Sequence, residues 1–175
     1  MTAVKKIAIT GPESTGKSML SKQLAKHYST SYVPEYAREY VDKLNRPYKQ
    51  EDILVIAREQ LKRERLAIKN ANGFLFCDTE MIVPKIWELY KYNECHPWIL
   101  EQIRKNSYDL YLLCDIDLPW EADPQREYPH MRSFFFNWFK RELEQYRFPY
   151  RIISGNEQQR VENAIDAING FFNNG

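Results

Sequence analysis

Gly11-Pro12-Glu13-Ser14-Thr15-Gly16-Lys17-Ser18 follows the apolar run Lys5-Lys6-Ile7-Ala8-Ile9-Thr10 and precedes Met19 to Tyr28, where apolar side chains recur at Leu20, Leu24, Ala25 and Tyr28. The first run reads as a buried strand and the last as a helix, since spacings of three and four place residues on one helical face. A strand that turns through G-x-x-x-x-G-K-S into a helix is the setting in which this octapeptide cradles phosphate. Gly11 and Gly16 let the backbone fold so tightly that successive N–H groups converge on one concavity. The positive end of the following helix strengthens that field. Lys17 can reach the β- and γ-phosphates, and the Ser18 hydroxyl can face Mg²⁺. The segment predicts a nucleoside triphosphate site.

The rest of the chain narrows the class. At 175 residues it suits one domain with a substantial core, and its net charge of +1 points to neither nucleic acid nor an anionic membrane. Nothing approaches the ~18 consecutive apolar residues of a membrane span, and the N-terminus lacks the apolar segment of a signal peptide. Cys77, Cys95 and Cys114 are odd in number and lack metal-ligand spacing, so a reduced cytoplasmic protein is expected. Oligomeric state is not legible.

Strand and helix patterns alternate without a long linker. Short apolar runs at Ser31–Val33, Phe74–Asp78, Tyr108–Cys114 and Tyr150–Ile153 predict strands. Helices are expected from near Tyr36, then over Glu51–Lys69, Ile82–Tyr92, Pro97–Lys105, Ser133–Tyr146 and Glu157–Phe172. The polar, Pro-rich stretch from Asp117 to Arg132 predicts a short lid. This is an α/β pattern: a P-loop NTPase-type three-layer sandwich in residues 1–175, with a parallel sheet of about five strands and helices on both faces. Ligands then bind at the carboxyl ends of the strands.

Three clusters sit where such a ligand would lie. Asp78 ends an apolar strand and can hold Mg²⁺ together with Ser18; the same residue could simply cap the next helix. Glu80 is either a supporting acid or part of the first turn of that helix. Glu35 and Arg38, three residues apart at a helix start, can take a proton from an acceptor hydroxyl and hold substrate or phosphate; equally, they could form a surface ion pair, and Glu39 competes as the acid. Arg126 and Arg132 in the lid can neutralise charge developing on a transferred phosphoryl group. Trp120 can stack on a flat, cationic ring or pack the lid on the core. Gly155 and Asn156 form a turn after the last strand that can border adenine or start the closing helix.

Together G-P-E-S-T-G-K-S, Glu35-Tyr36-Ala37-Arg38-Glu39, Phe76-Cys77-Asp78-Thr79, Trp120-Glu121-Ala122-Asp123 before Arg126, and Ile153-Ser154-Gly155 resemble the kinase domain of NadR-type ribosylnicotinamide kinases, a branch of the P-loop nucleoside kinases. The resemblance spans nearly the whole chain. It implies ATP-dependent phosphorylation of the ribose 5′-hydroxyl of nicotinamide riboside, with Mg²⁺. It places ATP on Gly11, Glu13, Ser14, Thr15, Gly16, Lys17, Ser18 and Met19, with Gly155 and Asn156 at its base. It implies catalytic roles for Lys17, Asp78, Glu35, Arg126 and Arg132, and a small-molecule nucleoside held by Glu35, Tyr36, Arg38, Trp120 and Asp123. Family members carry an adenylyltransferase domain ahead of the kinase; here the loop begins at residue 11, and a stand-alone kinase is expected. A kinase for another nucleoside or nucleotide, and an ATPase or nucleotide-sensing module with no small acceptor, are the alternatives. Nucleic-acid binding through residues 128–151 is disfavoured, because Phe134, Phe135, Phe136, Trp138 and Phe139 suit the core face of a helix.

Overall fold

The computed structural model describes residues 3–173. Five strands, β1 (Lys5–Thr10), β2 (Ser31–Val33), β3 (Phe74–Asp78), β4 (Leu110–Cys114) and β5 (Tyr150–Ile153), form one sheet in the order β2-β3-β1-β4-β5. Every pairing is parallel. Parallel neighbours need crossovers, supplied by α1 (Lys17–His27), α2 (Tyr36–Asp42), α3 (Gln50–Ala67), α4 (Ile82–Tyr92), α5 (Pro97–Lys105) and α6 (Arg132–Gln145); α7 (Glu157–Asn173) closes the chain. The expected α/β fold is the observed one.

Alternate residues of each strand divide between two cores, as the period-two pleat requires. Ile7, Ile9, Phe76, Leu110 and Leu112 pack beneath α1 and α7, on Leu20, Leu24, Ala164 and Ile168. Ala8, Leu75, Cys77, Tyr111 and Leu113 face the opposite side, against Ala57 and Leu61 of α3, Ile86 of α4, Ile99 of α5 and Phe139 of α6. The lipophilic reading of α6 holds for Phe135 and Phe139, whereas Phe134 is 49% exposed. Among the described residues no helix is long and apolar enough to cross a membrane.

Several charges are interior. Lys6 pairs with Glu64 at 2.7 Å, and Lys85 with Glu142 at 2.5 Å. The Tyr108 hydroxyl donates to Glu64 at 2.8 Å, and Asp109 accepts from the Lys6 N–H. These bonds hold residues 108 and 109 outside the ladder, so β4 starts at Leu110 rather than Tyr108. Arg132 likewise opens α6 instead of ending the lid.

Topology fixes the position of the site. With β1 central, the carboxyl ends of β1, β2 and β3 lie side by side: Ile9 is in register with Asp78, and Val33 with Cys77. The phosphate loop, Glu35 and Asp78 therefore converge on one edge of the sheet.

Candidate active site

At Gly11 (φ +131°) a Cβ would meet the Cys114 carbonyl oxygen at 3.0 Å, and at Gly16 (φ +75°) it would meet Leu118 at 2.9 Å. Glycine is thus required where the loop presses on β4 and where it enters α1. Thr15 is fully buried and its hydroxyl donates to the Pro12 carbonyl at 2.8 Å, pinning the loop from within. Lys17 donates to the same carbonyl at 2.6 Å. Its ammonium forms no ion pair within 4 Å among the described residues, lines the cavity and, against the burial that raises them, lowers the pKa of Glu13, Glu35 and Asp78 through its charge.

Asp78 is 1% exposed and its Oδ1 has no partner; burial raises its carboxyl pKa, against the pull of the neighbouring Ser18 hydroxyl, Lys17 and the Glu35 N–H. A buried, half-satisfied carboxylate is costly unless it serves a further ligand. Ser18 and Asp78 fit a hard cation that takes its other ligands from phosphate oxygens and water, and among the described residues no cluster of three His, Cys, Asp or Glu competes for that role. The Glu35 carboxyl is pushed up to about 7 by burial and by Asp78, against the pull of Lys17 and Arg38. Gln60, which the sequence places on the mostly apolar face of α3, ties the start of α2 to the end of β3. Its side-chain oxygen accepts from the Tyr36 N–H at 2.9 Å and its amide donates to the Asp78 carbonyl at 3.4 Å. Glu80 lies just before α4, where it accepts from the Thr10 hydroxyl at 2.7 Å and the Ile82 N–H at 2.6 Å, joining β1 to the helix start.

The lid lies across the phosphate loop. Ser14 (φ +57°) turns its hydroxyl toward it, accepting from the Glu121 N–H at 2.9 Å and from Arg126 at 3.3 Å. Arg132 donates to the carbonyls of Ser14 (3.2 Å) and Leu118 (2.7 Å). Glu13 points to the lid, where its carboxylate accepts backbone N–H groups from Glu127 and Tyr128. Arg38 pairs with Asp123 at 2.8 Å, and Lys91 of α4 binds both Glu127 and the Tyr48 hydroxyl.

These elements enclose a cavity of about 1020 Å³. One end holds Gly11 to Leu20 with Arg126, Asn156 and Arg160; the other opens among α3, α4 and α6 at Ile53, Ala57, Val83, Trp87, Phe135 and Phe139. Glu35 and Arg38 stand on its wall and also border an adjoining cleft of about 450 Å³, which Ser18 and Asp78 line. Tyr36, Trp120 and Asp123 are outside the cavity wall. Arg63 covers the Tyr36 ring at 4.2 Å, Arg132 sits 5.9 Å from the Trp120 ring, and Asp123 is engaged by Arg38. The tryptophan that does line the cavity is Trp87 of α4.

At the far end, Gly155 (φ +101°) donates its N–H to Asp117 at 2.5 Å. Arg160 is 3% exposed and donates to the Ile153 and Gly155 carbonyls and to Asp117, fixing the turn beside Asn156. A buried arginine inside a helix of ordinary polarity gives no sequence signal.

Against known proteins, a family model described as an AAA domain matches residues 6–160. The chain belongs to that family. The trifunctional NAD biosynthesis/regulator protein NadR of Salmonella typhimurium is 32% identical over 130 residues, covering 70% of this AAA-domain chain and 31% of its own. The chain thus spans about a third of the length of the curated relatives it matches. Two crystal structures of NadR protein, one with NAD and AMP-PNP and one with NR, superpose with TM-scores of 0.81 and 0.83 at 24% and 23% identity, over 97% of this chain and 50% of theirs. A thymidylate kinase from Ehrlichia chaffeensis superposes at 0.63 with 12% identity, over 97% of this chain and 100% of its own. At such identities the structures speak for the fold.

Proposed function

We propose that this chain is an ATP-dependent nucleoside kinase that phosphorylates the 5′-hydroxyl of nicotinamide riboside to give nicotinamide mononucleotide. The observation that carries the reading is one continuous cavity that joins a complete phosphate loop to a half-apolar chamber, with the unpaired acid Glu35 at the junction. The NadR relatives support the choice of acceptor, and the bound AMP-PNP of one supports ATP.

The chemistry follows from the residues. Lys17 exchanges the Pro12 carbonyl for the β- and γ-phosphates, while the loop N–H groups hold their oxygens. Ser18 and Asp78 would hold Mg²⁺ against those phosphates, where it neutralises charge. Glu35 accepts the proton of the acceptor hydroxyl as that oxygen bonds to the γ-phosphorus and the bond to the bridging oxygen of ADP breaks. Arg126, on the cavity wall beside the loop, faces the charge on the transferred group, while Arg132 braces the loop through the Ser14 and Leu118 carbonyls. Residues 1–175 act as one kinase unit with residues 117–131 as lid, in the reducing cytoplasm where its three free cysteines persist.

Charge pairing favours a nucleoside over a nucleotide acceptor. A monophosphate would need free cations in the chamber, but Arg38, Arg46 and Lys91 are paired with Asp123, Asp52 and Glu127. The acid beside the acceptor chamber, Glu35, forms no ion pair within 4 Å among the described residues, which suits a cationic pyridinium riboside. With a panel of nucleosides and their 5′-monophosphates, transfer is expected to nicotinamide riboside and not to the monophosphates; preferential transfer to thymidine monophosphate would reverse the assignment. Trp87→Ala should raise the acceptor KM by about tenfold through loss of ring contact with the ATP KM unchanged. An unaltered acceptor KM would return Trp87 to core packing.

A further inference from the structure

Glu13 occupies a variable position of the phosphate loop, yet its carboxylate bonds the lid. One oxygen accepts the N–H groups of Glu127 and Tyr128 at 3.1 and 3.3 Å. These N–H groups belong to the two residues that follow Arg126, so the bonds fix where that guanidinium stands, 3.3 Å from the Ser14 hydroxyl. Glu127 is held from its other side by Lys91 at 2.8 Å, which ties the same point of the lid to α4. A lid clamped at its turn from two directions is held over the phosphate end, and such cover matters in phosphoryl transfer because water competes with the acceptor as nucleophile.

We propose that Glu13 is a positioning residue that couples the phosphate loop to the lid and keeps water from the γ-phosphate. The proposal rests on the kinase reading above. Without the tether, water attacks the γ-phosphorus in place of the acceptor hydroxyl, the bond to the bridging oxygen of ADP breaks, and ADP and inorganic phosphate leave with the water's proton released to solvent. Two charge-assisted hydrogen bonds are at stake, enough to change a rate or a closed population by about tenfold.

The test measures inorganic phosphate and phosphorylated nucleoside together, with MgATP and nicotinamide riboside, for wild type, Glu13→Ala and Glu13→Gln. In the wild type, nearly all ATP consumed should appear as phosphorylated nucleoside. In Glu13→Ala the inorganic phosphate formed per phosphorylated nucleoside should rise about tenfold, and trypsin should cut after Arg126 faster than in the wild type. Glu13→Gln keeps an accepting oxygen in the same volume and should fall between the two; it carries the test if the alanine variant loses its thermal transition. A wild-type partition ratio in both variants overturns the proposal, whatever the tryptic rate. Wild-type turnover indifferent to every nucleoside overturns the kinase reading first, and this proposal with it.

Discussion

Lys17→Ala is expected to lower phosphoryl transfer by on the order of a thousandfold, the scale of losing a preorganised charge from a transition state, with no loss of thermal stability. The structure explains why the two effects separate. Lys17 stands at the first position of α1, and its ammonium donates to the Pro12 carbonyl of the loop. A cation at the positive end of a helix is unfavourable, so removing it does not weaken the helix. Lys17→Arg should recover little, because the guanidinium is longer and planar and would collide with a loop shaped around a point charge. Full turnover by Lys17→Ala with an intact melting curve would remove the lysine from the reaction.

Glu35→Gln is expected to slow transfer by about a hundredfold to ten-thousandfold, the usual worth of a positioned general base, and to alter the pH profile. In the wild type the carboxyl titrates at about 7, raised from 4.5 chiefly by burial and then by Asp78. The base is the deprotonated form, so kcat/KM should fall as the medium is acidified through that value, and the variant should lack this limb. Stability runs the other way. A carboxyl whose folded pKa exceeds its unfolded one binds more protons in the folded state between 4.5 and about 7, so the fold loses stability as pH rises through that window. Glu35→Gln should therefore be the more stable protein above pH 7 and the less active one. A residue kept for packing alone would not show opposed effects. Retention of the acidic limb in Glu35→Gln would pass the role of base to Asp78.

Local order was legible wherever one segment carries its own signal. The strand, loop and helix from Lys5 to Tyr28, the apolar runs at Phe74–Asp78 and Tyr150–Ile153, and the alternation of elements all lie in the sequence. The parallel α/β class followed from them. Strand order did not, because which runs become neighbours depends on packing among distant residues. Charges were the hardest to read. Glu64, Glu142 and Arg160 look like solvated helix residues until Lys6, Lys85 and Asp117 come within reach from elsewhere in the chain. The same limit applies to the lid. Its motif named Trp120, Asp123 and Arg126, but only the fold reveals that Asp123 holds Arg38, that Arg132 approaches the Trp120 ring, and that Trp87 faces the chamber. The role of Gln60 was hidden for a related reason: a buried amide on an amphipathic face acquires meaning from the two backbones it joins.

The most direct measurement of the central claim is ADP release by the purified chain with MgATP, in the presence and absence of nicotinamide riboside. Turnover that rises steeply with the nucleoside, with nicotinamide mononucleotide formed mole for mole with ADP, is the result the account predicts. ADP release at the same slow rate with and without the nucleoside, and with no phosphorylated product, would contradict it and favour a nucleotide-sensing module.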